Sequence, residues 1–170
     1  MDTLIIPGFS IKNKPWAEEI KKGLPPIFPS SVVYWPHWET GKTEDNWIEK
    51  EGEKIILNTQ SEQINIIAKS IGTDVSMVVL KLKPNLINKI VLCGLPIREF
   101  HPGDEKYFEP LRSFPSDRVL CIQNKDDIHG NFEEAEKFIH SLNPSIKIIS
   151  EPRADHEYPY LNEFIDFLSK

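Results

Sequence analysis

Six short apolar runs recur along the chain, at Thr3–Ile6, Ser31–Trp35, Ile64–Ala68, Lys89–Cys93, Arg118–Ile122 and Ile146–Ile149. They are near-continuous in hydrophobicity instead of alternating, the pattern of strands buried on both faces. Between them lie stretches with apolar residues three or four apart, at Pro15–Gly23, Asp45–Gln60, Thr73–Lys83, Phe132–Ser141 and Glu157–Ser169. The first carries Pro at its opening turn and Gly at its end, the usual punctuation of a helix. The alternation predicts a doubly wound α/β fold, with a six-stranded, mostly parallel sheet and helices on both faces. The segment Pro96–Pro115 breaks the pattern with four prolines and several aromatics, and reads as an irregular loop with a short helix.

A chain of 170 residues with 39% hydrophobic composition suits one compact domain spanning residues 1–170. The net charge of −6 and scattered basic residues argue against a nucleic-acid partner. No leader-like start or membrane-length apolar run is present, so a soluble, cytoplasmic protein without a membrane partner is expected. Cys93 and Cys121 each lie within an apolar run and read as small buried hydrophobes, in keeping with a reducing compartment. With no C-x-x-C, H-x-H or H-E-x-x-H spacing, no metal is predicted, and no cofactor either. Oligomeric state is left open.

In such sheets a ligand sits beyond the carboxyl ends of the strands, near the point where strand order reverses. At one of those ends the sequence reads Ala68-Lys69-Ser70-Ile71-Gly72, where a buried strand gives way to a helical pattern. This is the pattern of a nucleophile elbow, which needs tiny flanking residues so that the serine hydroxyl can be lifted out of a tight turn. Serine is a poor nucleophile until an imidazole takes its proton, and the imidazole needs an acceptor on its other nitrogen. Gln123-Asn124-Lys125-Asp126-Asp127-Ile128-His129 after the fifth strand and Asp155-His156-Glu157-Tyr158 after the sixth offer both.

The order Ser70, acid, His156 resembles that of the α/β-hydrolase superfamily, in particular its short, single-domain, lidless serine hydrolases, over nearly the whole chain. The resemblance implies a Ser70–His156–Asp126 triad, with Asp127 a live alternative because the acid loop lacks its usual first glycine. Leu4-Ile5-Ile6-Pro7-Gly8-Phe9-Ser10 resembles the family's first strand and oxyanion loop, with Pro7 where histidine is usual. The oxyanion hole is then formed by the N–H of Ile71 with that of Phe9 or Ser10, Phe9 being favoured. The implied activity is hydrolysis of a small carboxylic ester, thioester or amide through an acyl-enzyme, its partner a small-molecule acyl substrate.

Trp35, His37, Trp38, Leu95 and Pro96 are expected to line the acyl site, with Phe100, Tyr107 and Phe108 as further walls. His101, His129 and His140 read as structural. Lys69 reads as a solvated lysine at the rim, or more sharply as a residue favouring an acidic substrate. Gly41-Lys42-Thr43 lacks the upstream glycine of a phosphate loop. Two other readings stand beside the hydrolase: a catalytically silent binding or scaffolding protein of the same fold, and a flavodoxin-like or nucleotide-binding module. The second lacks the glycine spacing that cradles a pyrophosphate.

Overall fold

The computed structural model describes residues 1–170. Six strands form one sheet: β1 (Asp2–Ile6), β2 (Ser30–Val32), β3 (Ile64–Lys69), β4 (Ile87–Cys93), β5 (Val119–Asn124) and β6 (Lys147–Glu151). Their spatial order is β2-β1-β3-β4-β5-β6 and every neighbouring pair is parallel. The chain runs outward from β1 to β2, then returns across β1 to β3. The order therefore reverses between β1 and β3, and the loops after these two strands open the crevice where ligands bind in such sheets.

Helices cover both faces. Helices α1 (Lys14–Gly23) and α6 (Leu161–Leu168) pack Trp16, Ala17, Ile20, Phe164 and Leu168 onto Ile5, Ile67, Val91 and Ile122. On the other face, α3 (Trp47–Asn58), α4 (Ile71–Leu82) and α5 (Phe132–Leu142) bring Ile55, Val75, Met77, Ala135 and Ile139 onto Ile6, Ile66, Ala68 and Leu92. Strand parity divides these sets, since successive side chains point to opposite faces. Each fully buried aliphatic residue contributes roughly 1.5–3 kcal/mol of transfer free energy, so the sheet is anchored from both sides. Helix α5 starts on a capping box, with the Asn131 side chain accepting from the Glu134 N–H and the Glu134 carboxylate accepting from the Asn131 N–H.

The predicted elements are present, with several of their ends adjusted. Strand β2 stops at Val32, because Trp35 leaves the sheet to bury its ring and donate its indole N–H to Gly8 O at 3.1 Å. A four-residue helix, α2 (His37–Thr40), follows it and ends at Gly41, whose φ of 68° is the left-handed conformation of a helix stop. Helix α4 begins at Ile71, directly after the serine, two residues earlier than the pattern suggests. Helix α6 begins only at Leu161, because Pro159 disfavours helical backbone at Tyr158. Between β4 and β5 the irregular segment folds into three 3-10 helices, Ile97–Glu99, Asp104–Arg112 and Ser116–Arg118.

Candidate active site

Ser70 stands between the last residue of β3 and the first of α4 with φ 55° and ψ −130°, a left-handed φ that non-glycine residues seldom adopt. Two backbone hydrogen bonds hold it there: its N–H donates to Cys93 O at 2.9 Å, and its carbonyl accepts from Thr73 N–H at 2.8 Å. Gly72 explains why the turn can be so tight. A Cβ at that position would lie 2.4 Å from Ile6 O and 2.7 Å from Pro7 O, so any side chain would push α4 off the end of β1. The α4 N-terminus therefore abuts the loop after β1, on either side of the reversal in strand order.

On the β5–β6 side, His156 Nδ1 meets Asp127 Oδ2 at 2.6 Å. This corrects the preferred assignment of the acid. Asp126 is exposed, with its backbone N–H donating to Arg153 O at 3.1 Å, while Asp127 is buried under the histidine. The turn after β5 decides between the two. Asp127 N–H donates back to Asn124 O and its carbonyl accepts from Gly130 N–H, which leaves Asp127 at the inner side.

Tyr158, fully buried, donates its hydroxyl to the same Asp127 oxygen at 2.6 Å, and that hydroxyl accepts from Asn124 N–H at 3.1 Å. Asp127 Oδ1 accepts from the His129 N–H at 2.8 Å. Burial by itself would raise the Asp127 pKa, but the donors from His156 and Tyr158 outweigh it and hold the carboxyl below its ordinary value. Burial pushes the Tyr158 phenol well up, so it serves as a fixed donor.

The loop carrying His156 is clasped from several directions. Asn124 Nδ2 donates to both Asp155 O and Glu157 O at 2.8 Å, and Trp16 Nε1 donates to Tyr158 O at 2.8 Å. Gly94, with φ 60°, lets the loop come close, since a Cβ there would sit 2.5 Å from the Tyr158 ring and 2.9 Å from His156 Cε1. The far nitrogen of His156, Nε2, is buried and has no hydrogen-bond partner, the Ser70 hydroxyl included. Chemically, an imidazole whose Nδ1 is fixed on a carboxylate offers Nε2 as a proton acceptor. A second pair stands beside it: the His129 ring lies 4.3 Å from that of His156, and its Nδ1 bonds the Glu99 carboxylate.

Ser70 opens into a cleft of about 410 Å³ lined by Phe9, Trp47, Ile48, Ile71, Asp74, Pro96, Glu99, Phe100, His101 and Asp104. Of the five residues expected to line it, Pro96 alone does. Trp35 is buried, Leu95 is fully buried with its N–H on Gln123 Oε1 at 2.9 Å, and His37 and Trp38 turn away. His37 Nε2 and Trp38 Nε1 each contact Phe9 O at 2.7 Å, and the Phe9 ring stacks on His37 at 4.3 Å. These residues brace the loop after β1 from behind. Phe100 is a wall as expected, but Phe108 is wholly in the core and Tyr107 turns to the Glu49 carboxylate. Phe9 and Ile71 both reach the cleft, and neither N–H donates to another protein group.

Lys69 is neither solvated nor at the rim. It is 1% exposed, with Nζ 3.3 Å from Glu157 and 5.5 Å from the centre of the Trp16 ring. Burial lowers its pKa, with Glu157 acting in the opposite direction. It shares strand parity with Ile67 and so faces α1 and α6, away from the cleft. Asp74, Trp47 and Tyr158 were not singled out from the sequence. No group of three or more His, Cys, Asp or Glu side chains is placed to hold a metal ion, and no helix is long and apolar enough to cross a membrane.

No family model matches the sequence, and no curated protein sequence does either. Solved structures do match. Mouse α/β hydrolase domain-containing protein 10 superposes with TM-score 0.73 at 11% identity, over 99% of this chain and 88% of its own. A lidless α/β serine hydrolase from Xanthomonas campestris gives 0.63 at 12%, over 99% and 78%. Naproxen esterase, a carboxylesterase from Bacillus subtilis, gives 0.71 at 14%, over 99% and 83%. The chain has the α/β-hydrolase fold.

Proposed function

We propose that the chain is a serine hydrolase acting on a small carboxylic ester, thioester or amide, with Ser70 as nucleophile, His156 as general base and acid, and Asp127 as the orienting carboxylate. The observation that carries this reading is the coincidence of a left-handed serine at the elbow with a partly buried His156 held 2.6 Å from a fully buried Asp127. Strain and burial of this kind cost stability, and they accumulate where chemistry needs them.

In the proposed cycle Ser70 Oγ attacks the carbonyl carbon while His156 Nε2 takes the hydroxyl proton. The resulting oxyanion sits against the N–H groups of Ile71 and Phe9, which are free to donate. Collapse breaks the bond to the leaving group, which departs with the proton from His156. Water then attacks the acyl-enzyme by the same path and releases the acid and Ser70. Asp127 stays ionised throughout and fixes the imidazole tautomer. The small partner molecule is an acyl compound that enters the open side of the cleft.

The test is hydrolysis of p-nitrophenyl acetate and butyrate by the purified chain beside Ser70→Ala. Turnover lost in the variant, with an unchanged circular dichroism spectrum, is the expected outcome. Equal turnover by both would remove Ser70 from the chemistry.

A further inference from the structure

Taking Ser70 as the nucleophile, the cleft beside it holds charges that the hydrolytic cycle does not use. Three carboxylates line it, Asp74, Glu99 and Asp104, and neither lysine nor arginine does. Two of them are shared with histidines: Glu99 with His129 Nδ1, and Asp104 with the His101 N–H at 2.8 Å and its Nδ1 at 3.3 Å. Asp74 has no such partner. It is 2% exposed and forms no ion pair; its donors are its own backbone N–H and, at 3.4 Å, the Thr73 hydroxyl, which donates more closely to Ser70 O at 2.6 Å.

A carboxylate this far out of water is unfavourable unless something neutralises it. Burial pushes Asp74 up to about 7, and the nearby Asp104 adds to the shift. Its place in the first turn of α4 does not account for it, because an exposed acid would complement the helix dipole without the cost of burial. The aromatic rings of Phe9, Trp47 and Phe100 share the wall with Ile48, Ile71 and Pro96. The ring of Trp47 meets Phe9 at 5.5 Å, and Phe100 stands on the other side with Phe108 and Phe138 behind it. Carboxylates joined to aromatic rings are the surroundings that an organic ammonium ion prefers, since it gains from both the charge and the ring quadrupole. A divalent metal ion needs several oxygen ligands at 2.0–2.6 Å, and no three ligands converge that closely here.

We propose that the cleft receives an ammonium group, protonated or quaternary, carried by the ester or thioester that Ser70 cleaves, with its charge on Asp74 and Asp104 and its carbon shell against Trp47 and Phe100. Anionic acyl substrates are disfavoured by the same residues.

The probes are choline and its neutral isostere 3,3-dimethylbutan-1-ol, titrated into the ¹⁵N-labelled chain and followed by amide and indole NMR shifts. Choline is expected to bind at least about five-fold more tightly, with shifts centred on Trp47 and residues 70–74. Asp74→Asn should remove that preference, and Asp104→Asn should reduce it about two-fold. Equal affinities, a preference that survives both substitutions, or shifts centred away from Trp47 would overturn the proposal. Fluorophosphonate labelling of the same samples separates the two claims. Labelling of Ser70 without choline preference sinks this inference alone, whereas choline preference without labelling sinks the hydrolase and leaves an ammonium-binding cleft.

Discussion

The two walls of the crevice are built on opposite terms. On the β5–β6 side, Asp127, Asn124, His156 and Tyr158 form a network in which almost every buried polar atom is paired, leaving only His156 Nε2 free. On the α3–α4 side, Asp74 is as deeply buried as Asp127 yet has no comparable donors. Their pKa values accordingly move in opposite directions, Asp127 downward and Asp74 up to about 7. One buried carboxylate is held ready to be charged by groups the chain supplies. The other awaits a positive group that the chain does not supply. Burial alone therefore says little about a carboxylate's role, and its donors say most of it.

The largest effect is expected on the paired side. Asp127→Asn should lower kcat/KM by about 10³-fold by offering the wrong hydrogen-bonding partner to His156, while Asp126→Asn should stay within about two-fold. Steady-state ester hydrolysis checks both. Equal effects would mean that the histidine loop can choose either acid.

On the unpaired side, Asp74→Asn should stabilise the protein, and only above acid pH. Its folded pKa of about 7 lies above the ordinary unfolded value near 3.9. The folded state thus binds the extra proton between those limits, and stability falls as pH rises through them. Replacing the carboxyl by an amide should recover about 2–4 kcal/mol at pH 8 and little at pH 4, read from urea midpoints at the two pH values.

Tyr158→Phe probes the network more gently. It removes one donor from Asp127, whose folded pKa is depressed, so that its contribution is lost as pH falls through that value. The variant should lose about ten-fold in kcat with little change in KM. The acid limb of its rate profile should move to higher pH. Smallest of all, Lys69→Met should change stability by less than about 1 kcal/mol, since an apolar replacement of a buried ion is often neutral and Glu157 keeps most of its solvent.

What the sequence disclosed follows the same division. The sheet and helices were legible because burial on two faces leaves apolar runs, and Ser70 was legible because Gly72 must be small against Ile6 O. The choice between Asp126 and Asp127 was not, since it rests on a turn closed by bonds from Asp127 to Asn124 and Gly130. The cluster Trp35, His37 and Trp38 looked like a pocket wall but faces the back of the Phe9 loop, a long-range arrangement with no local signature. Lys69 was readable after all, because it shares strand parity with Ile67 and so points away from the crevice. Asp74 carried no local signal, because its meaning depends on the chain between β4 and β5 folding over it.

The proposed activation of Ser70 by His156 and Asp127 should leave the serine reactive towards a fluorophosphonate. Fluorophosphonate labelling followed by peptide mapping tests it most directly, comparing the unaltered chain with Ser70→Ala, His156→Ala and Asp126→Asn. One adduct is expected, on Ser70, absent from the first two variants and retained in the third. A folded chain that takes no label, or labels elsewhere, would contradict it.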